Sequence, residues 1–421
     1  MMASVSGIGT AATNETPKAG WLTLLCITRM FQATVATVWA GILPRVMAEW
    51  GLAASSAGLV QSAWHVGYLV SLFGVGLVAD RIGARLVFLA SSVLTALAAT
   101  LFALGTRGPA SAALLYGLTG LCAGGCYSPG LQLLAANALP ARRGRAMGAF
   151  IGASSLGYGL SLVVVAGLAN VLPWRSIVLV VAAMVATGAV LTVCALTRMR
   201  PDPLPTAATA YPVGRALSET LRDKPAMTGN AAYAAHCWEL MALWAWLPAF
   251  LAFAAQGGGL SAAQGIALAA AAHLVSVAGS VLGGAASDRH GRARVMMVAS
   301  CASLLCSFTF GWLWAAPVGA LAVFGALYNL WAIADSSVYS TALADVVPAH
   351  RLGAAFSVRS VMGFGAGAIS PWVFGMALDW GQAHLATPGN AWGWAWSTVG
   401  LGALCGPWMI WRFQRLVTYK G

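Results

Sequence analysis

The chain has 421 residues, 59% of them hydrophobic and only 8% charged, a balance that excludes a soluble domain and places the protein in a membrane. The formal net charge of +12 would suit a nucleic-acid partner, but the cations are scattered rather than gathered on one face, and no nucleic acid is expected. All but five of the 23 Lys and Arg fall in alternate short loops, the positive-inside pattern; Arg45, Arg107 and Arg175 lie in the opposite loops, and Arg29 and Arg359 lie inside apolar segments.

Residues 1–20 are small and polar and read as a cytoplasmic tail. They show no basic leader with a cleavage site, so the first apolar run is expected to be an uncleaved anchor. Helix 1 is expected over 21–43, stopping near Pro44, helix 2 over 57–79 and helix 3 over 86–104. Helix 4, over 112–136, carries Gly124, Gly125 and Pro129 as breakers. Helix 5, over 146–168, is rich in Gly and Ser and should approach a neighbour closely. Helix 6 covers 176–196. Composition then shifts, and 197–225 reads as a proline-rich cytoplasmic linker in which 215–224 suits a short interfacial helix. Helices 7 to 12 follow over 226–254, 262–286, 295–315, 320–344, 354–378 and 392–411, and 414–421 forms a second cytoplasmic tail. Each run suffices for a hydrocarbon core of ~30 Å at ~1.5 Å per residue. The expected fold is an all-α membrane protein with twelve transmembrane helices in two pseudo-symmetric six-helix bundles, 21–196 and 226–413, both termini being cytoplasmic.

The two halves repeat one charged turn. Gly76, Asp80, Arg81 and Gly83 recur as Gly284, Asp288, Arg289 and Gly291, each 208 residues on, with Arg85 and Arg292 closing the two copies. Pro140 and Arg143 recur at the same spacing of 208 as Pro348 and Arg351. The doubled G-x-x-x-D-R-x-G turn resembles the loop signature of the major facilitator superfamily, over nearly the whole chain. The resemblance implies a secondary transporter whose halves rock about a midplane site. It also implies that these ten turn residues act as a conformational latch, Asp near a helix end bonding Arg and free backbone N–H groups. The motif says nothing of the substrate. The superfamily's proton-driven drug exporters carry an Arg four residues before a Gly in helix 4, where this chain has Tyr116 before Gly120.

Ionisable side chains inside a bilayer are costly and point to function. Seven lie within the predicted helices: Arg29, His65, His236, Glu239, His273, Asp335 and Arg359. His65 and His273 are again 208 apart and should face each other across a central cavity, ~22 Å from the signature turns. The superfamily's nitrate/nitrite porters are similar in kind, with matched basic residues on helices 2 and 8. Arg29 suits a bidentate carboxylate or phosphate contact; the competing reading pairs it with Glu239. His236 and Glu239 share a helix face with Trp246, the aromatic expected to touch the substrate, and both are candidate proton carriers. Asp335 and Arg359 are expected to form an intramembrane ion pair. The eight cysteines lie in apolar runs without C-x-x-C spacing and read as small buried hydrophobes.

The function expected is secondary active transport of a small anionic solute by alternating access, with protons as the coupling ion. The protein is expected to be a monomer of the bacterial inner membrane, its partners being the solute, protons and the lipid bilayer, with no cofactor. The alternative is an exporter of amphipathic compounds. A remote alternative is a membrane-embedded metal enzyme using His236 and Glu239 with His65 or His273.

Overall fold

The computed structural model describes residues 17–139, 143–201 and 212–418; the side chains of 76, 77, 80, 143–145, 213, 349 and 418 lie outside the described residues. The latch positions Gly76 and Asp80 and the repeated Pro140 are therefore outside that description.

The first half contains α1 (Trp21–Trp50), α2 (Ala54–Ile82), α3 (Ala84–Gly105), α4 (Pro109–Asn137), α5 (Arg143–Leu168) and α6 (Trp174–Leu196). The second half contains α7 (Lys224–Gly257), α8 (Ala262–His290), α9 (Arg292–Leu313), α10 (Val318–Val346), α11 (Leu352–His384) and α12 (388–418). Ten of these are long and apolar enough to cross a membrane by length and composition alone; α2 and α12 complete the twelve. Helix 1 does not stop near Pro44 as expected but continues to Trp50. A proline removes one backbone bond, and within a membrane neighbouring elements re-satisfy what it frees.

The repeat is visible in the packing. In each half the first helix lies on the fifth and sixth, the second on the fourth, and the third on the fourth and sixth: α2 packs on α4 as α8 packs on α10. The signature turns match as well. Gly83 and Gly291 have φ of 94° and 87°, a conformation in which a side chain would be strained, so glycine is needed at both.

The signature turns tie elements within each half. Arg85 donates to the carbonyls of Leu196 (2.7 Å) and Arg200 (2.7 Å), placing a cation at the C-terminus of α6. Arg292 bridges Asp288 (2.5 Å) and Asp345 (3.3 Å), joining the α8–α9 turn to the end of α10. Asp288 is 70% exposed, so water screens this network and it adds little to stability. The linker forms a short amphipathic helix, Val213–Arg222, docked on the second half. Asp223 accepts from the Ala226 N–H (3.1 Å) at the start of α7 and from Arg351 Nη2 (2.5 Å).

Two helix pairs carry most of the contact between the halves, α2 on α11 and α5 on α8. Away from the signature turns, α2 and α11 touch backbone to backbone. Gly58 lies on the Pro371 carbonyl and Gly375 on the Ala54 carbonyl, with no room for a Cβ at either. Asp379 of α11 seals that end by accepting from the Ala54 N–H (2.7 Å) and the Ser55 N–H (2.9 Å), the free donors at the start of α2. Past the Tyr68–Phe364 ring contact at 5.7 Å, the two helices part around a cleft lined by Leu72, Phe73, Phe356 and Ser360. The halves are thus closed at the end remote from the signature turns and separated near them.

Asp379→Ala should weaken that closure by about 1 kcal/mol, the usual worth of an acidic N-cap. Spin labels at Ala48 and Ala383, both exposed at this end, should show a larger long-distance population in the variant. An unchanged distance distribution would mean that the glycine contacts alone hold the seam.

Candidate solute-binding cavity

A cavity of about 200 Å³ lies between the two halves. Its walls come from α1, α2, α4 and α5 on one side and from α7, α8, α10 and α11 on the other. Three of these helices are broken at the cavity: α1 by a 3-10 turn over Thr34–Ala36, α4 between Gly124 and Ser128, and α10 at Asp335. Ser128 and Ser336, which open the second segments of α4 and α10, are 208 residues apart, so that break belongs to the repeat. Each break frees backbone N–H groups and a positive helix end at mid-chain, the feature from which membrane transporters build ion sites.

Arg29 projects from α1 into the cavity wall and is 4% exposed. Its Nε donates to Ser154 Oγ of α5 (2.7 Å), and its guanidinium lies 5.4 Å from the Tyr127 ring centre and 5.7 Å from that of Phe150. Among the described residues no carboxylate lies within ion-pair reach of it. The alternative pairing with Glu239 is not what the structure shows. Glu239 turns into its own bundle, accepting from Ser303 (2.8 Å) and Ser307 (2.6 Å) of α9, with Tyr328 of α10 2.5 Å from the Ser307 hydroxyl. Near the corresponding place in the first bundle, Gln32 of α1 donates to Ser92 (2.5 Å) of α3 and Thr192 (3.4 Å) of α6. One bundle therefore has an amide where the other has a carboxyl.

Asp335 and Arg359 do not pair either. Asp335 Oδ1 is 2.8 Å from His236 Nδ1 of α7. Arg359 of α11 bonds Ser340 instead, five residues and so ~7.5 Å further along α10 than Asp335. The break in α10 sets Asp335 toward α7, and the depth difference leaves Arg359 beyond its reach. His236 and Glu239 also diverge, one to Asp335 and the other to α9, so they do not meet at a common point as a metal pair would.

The two symmetry-related histidines occupy different places. His65 lines the cavity, its Nε2 3.3 Å from Gln61 Nε2 and its Nδ1 without a partner. His273 lies behind the wall, its ring 5.1 Å from Trp244 and 6.0 Å from Tyr158. They do not face each other across the cavity as expected; Trp244 and Tyr158, which line it, cover His273. Trp246 is also displaced from its expected role. It is fully buried, its Nε1 donates to the Pro371 carbonyl (3.0 Å), and it stacks on Phe374 at 4.9 Å. Trp244 is the α7 tryptophan in the cavity wall. The spacing of Tyr233, Cys237, Leu240 and Trp244 at steps of three and four marks that face, and Trp246 falls ~200° further round. The cavity tyrosines Tyr68, Tyr127, Tyr158 and Tyr233 carry no comparable signal in sequence.

Twelve membrane helices in two repeated bundles, with a largely apolar cavity between them walled in part by broken helices, have the architecture of a membrane transporter. The sequence agrees: residues 25–272 match the model of the Major Facilitator Superfamily, and the chain belongs to that family. Two uncharacterised MFS-type transporters of Mycobacterium tuberculosis, from strains CDC 1551 / Oshkosh and H37Rv, are each 34% identical over 129 residues, 31% of this chain. The match spans 29% of the length of those relatives. The fold is similar to that of the nucleoside transporter NupG (TM-score 0.77, 15% identity, covering 93% of this chain and 99% of that one). It is also similar to a bacterial homologue of the human lysosomal transporter Spinster in an inward-facing conformation (TM-score 0.70, 14% identity, 93% of this chain and 94% of that one).

The two tryptophans of α7 should separate in their effects. Trp246→Ala empties a fully buried site and should cost roughly 3–5 kcal/mol, lowering the thermal unfolding temperature in detergent. Trp244→Ala removes a wall of the cavity and should change solute affinity with a smaller loss of stability. Equal losses of stability in the two variants would contradict this division.

Proposed function

We propose that the protein is a secondary transporter of a small organic anion, cycling between states open on either side of the membrane. The carrying observation is Arg29: a buried guanidinium in the cavity wall with no carboxylate near it among the described residues. A buried cation needs an anionic partner, and the solute is the partner that the cavity admits. Arg supplies a planar pair of donors matched to a carboxylate. The signature turns and both termini are assigned to the cytoplasmic side of a bacterial inner membrane by the loop cations. On that assignment the cavity opens inward in this structure. The turn residues, Asp80 and Asp288 foremost, then act on the balance between the two open states rather than on the site.

Proton coupling is assigned to the groups that can exchange a proton within the second bundle. His236 stands in the cavity wall with Asp335 behind it; Glu239 has only hydroxyl partners and no cation among the described residues. The second reading, export of amphipathic compounds, draws support from the aromatic lining, with Trp64, Tyr68, Trp244 and Phe364 in the walls.

Uptake into proteoliposomes, with and without a pH gradient, tests both readings. Small organic anions should be taken up and should outcompete amphipathic cations. Arg29→Lys should weaken binding by roughly tenfold, because a point charge replaces a planar fork. Glu239→Gln should spare binding and abolish stimulation by the gradient; persistence of stimulation would leave His236 as the carrier. Robust transport of cations with no anion taken up would overturn the proposal.

A further inference from the structure

Arg359 is the second guanidinium in the cavity wall. Its Nη1 donates to Ser340 Oγ, and its head lies 4.5 Å from the Tyr233 ring centre and 4.8 Å from that of Phe356. Its Nε is buried without a partner. Among the described residues no carboxylate is within ion-pair reach of it. Arg29 is held similarly, by one serine and two aromatic faces, with the Tyr68 hydroxyl also beside it. Such mounting fixes the plane of a guanidinium and leaves part of its N–H fork unused.

The two arginines stand on opposite bundles, Arg29 on α1 and Arg359 on α11, and line one cavity. Two like charges facing one small space repel, and negative charge placed between them relieves the repulsion. Asp335, adjacent in sequence to the wall residue Ser336, is engaged by His236. The tyrosines Tyr127 and Tyr233, on which the arginines rest, line both the cavity and the cleft toward the signature turns.

We infer that the solute is an organic diacid, held with one acidic group on Arg29 and the other on Arg359. The inference rests on the anion reading above and narrows it. A compact inorganic anion placed on one fork leaves the other cation unmatched, whereas a diacid answers both. The aromatic walls of the same cavity suit a carbon body. Gripping one end from each bundle also makes the bound solute a link between the two bodies that move. A single-ended anion would make its charged contact with one bundle only.

The test is competition binding to the full-length protein in nanodiscs, using fumarate, succinate and terephthalate, each against its monomethyl ester. The native protein should bind at least one diacid on the order of 10- to 100-fold more tightly than its ester, the worth of one charge-assisted contact. Arg359→Gln should remove that preference while keeping ester binding; Arg29→Gln should lose both. If Arg359→Gln does not fold, Arg359→Lys carries the test, with the preference falling about tenfold. Equal affinity for diacid and ester in the native protein would overturn the diacid and leave the anion reading standing. So would a preference unchanged in the folded Arg359 variant. Failure of every diacid and every ester to bind would overturn both.

Discussion

A charge placed in hydrocarbon has to be answered by the protein itself, and the interior of this transporter is arranged around that requirement. Glu239 is met by serine hydroxyls, Asp335 by a histidine, and the two arginines by a serine and aromatic faces each. None of these pairings joins a carboxylate to an arginine. The negative groups are satisfied within the second bundle. The two arginines lie along the wall of the cavity between the bundles. The functional asymmetry of the cavity follows from this division of partners.

The duplicated scaffold makes the departures from symmetry easy to see. The breaks in α4 and α10 coincide under the repeat, but one carries Tyr127 and the other Asp335. Gln32 with Ser92 and Thr192 in one bundle stands roughly where Glu239 with Ser303 and Ser307 stands in the other. Backbone geometry is shared, as the positive φ of Gly83 and Gly291 shows, while titratable chemistry is concentrated in the second half. The first bundle supplies Arg29, His65 and aromatic surface; the second supplies Arg359 together with His236, Asp335 and Glu239.

The helix count, the pairing of the halves and the signature turns were legible in the sequence because each rests on a local or periodic signal. Apolar runs mark spans, and a charged glycine turn marks a tight connection. Side-chain partners were less legible. The break in α10 turned Asp335 toward His236, and no periodicity announces the direction of a break. Trp246 and Trp244 are two residues apart on one helix, and choosing between them required knowing which face meets α11 and α12 and which meets the cavity. Identical offsets placed His65 and His273 in equivalent positions, but the bulk of Trp244 and Tyr158 covers only one of them. The Asp379 cap was invisible for a simpler reason: its donors are backbone groups of a helix more than 300 residues away.

The seam and the signature turns are built from different materials. At the seam, carbonyls rest on glycines and a carboxylate sits on the free donors of a helix end, in contacts that dissolved ions barely reach. At the signature turns, Arg292 bridges exposed carboxylates that lie within a Debye length of the surrounding electrolyte, about 8 Å at physiological ionic strength. Electrolyte concentration therefore acts on one face of the molecule and spares the other. Because Arg292 ties elements of one bundle to each other, rising ionic strength loosens the ends of α8, α9 and α10 and leaves the seam between the bundles in place.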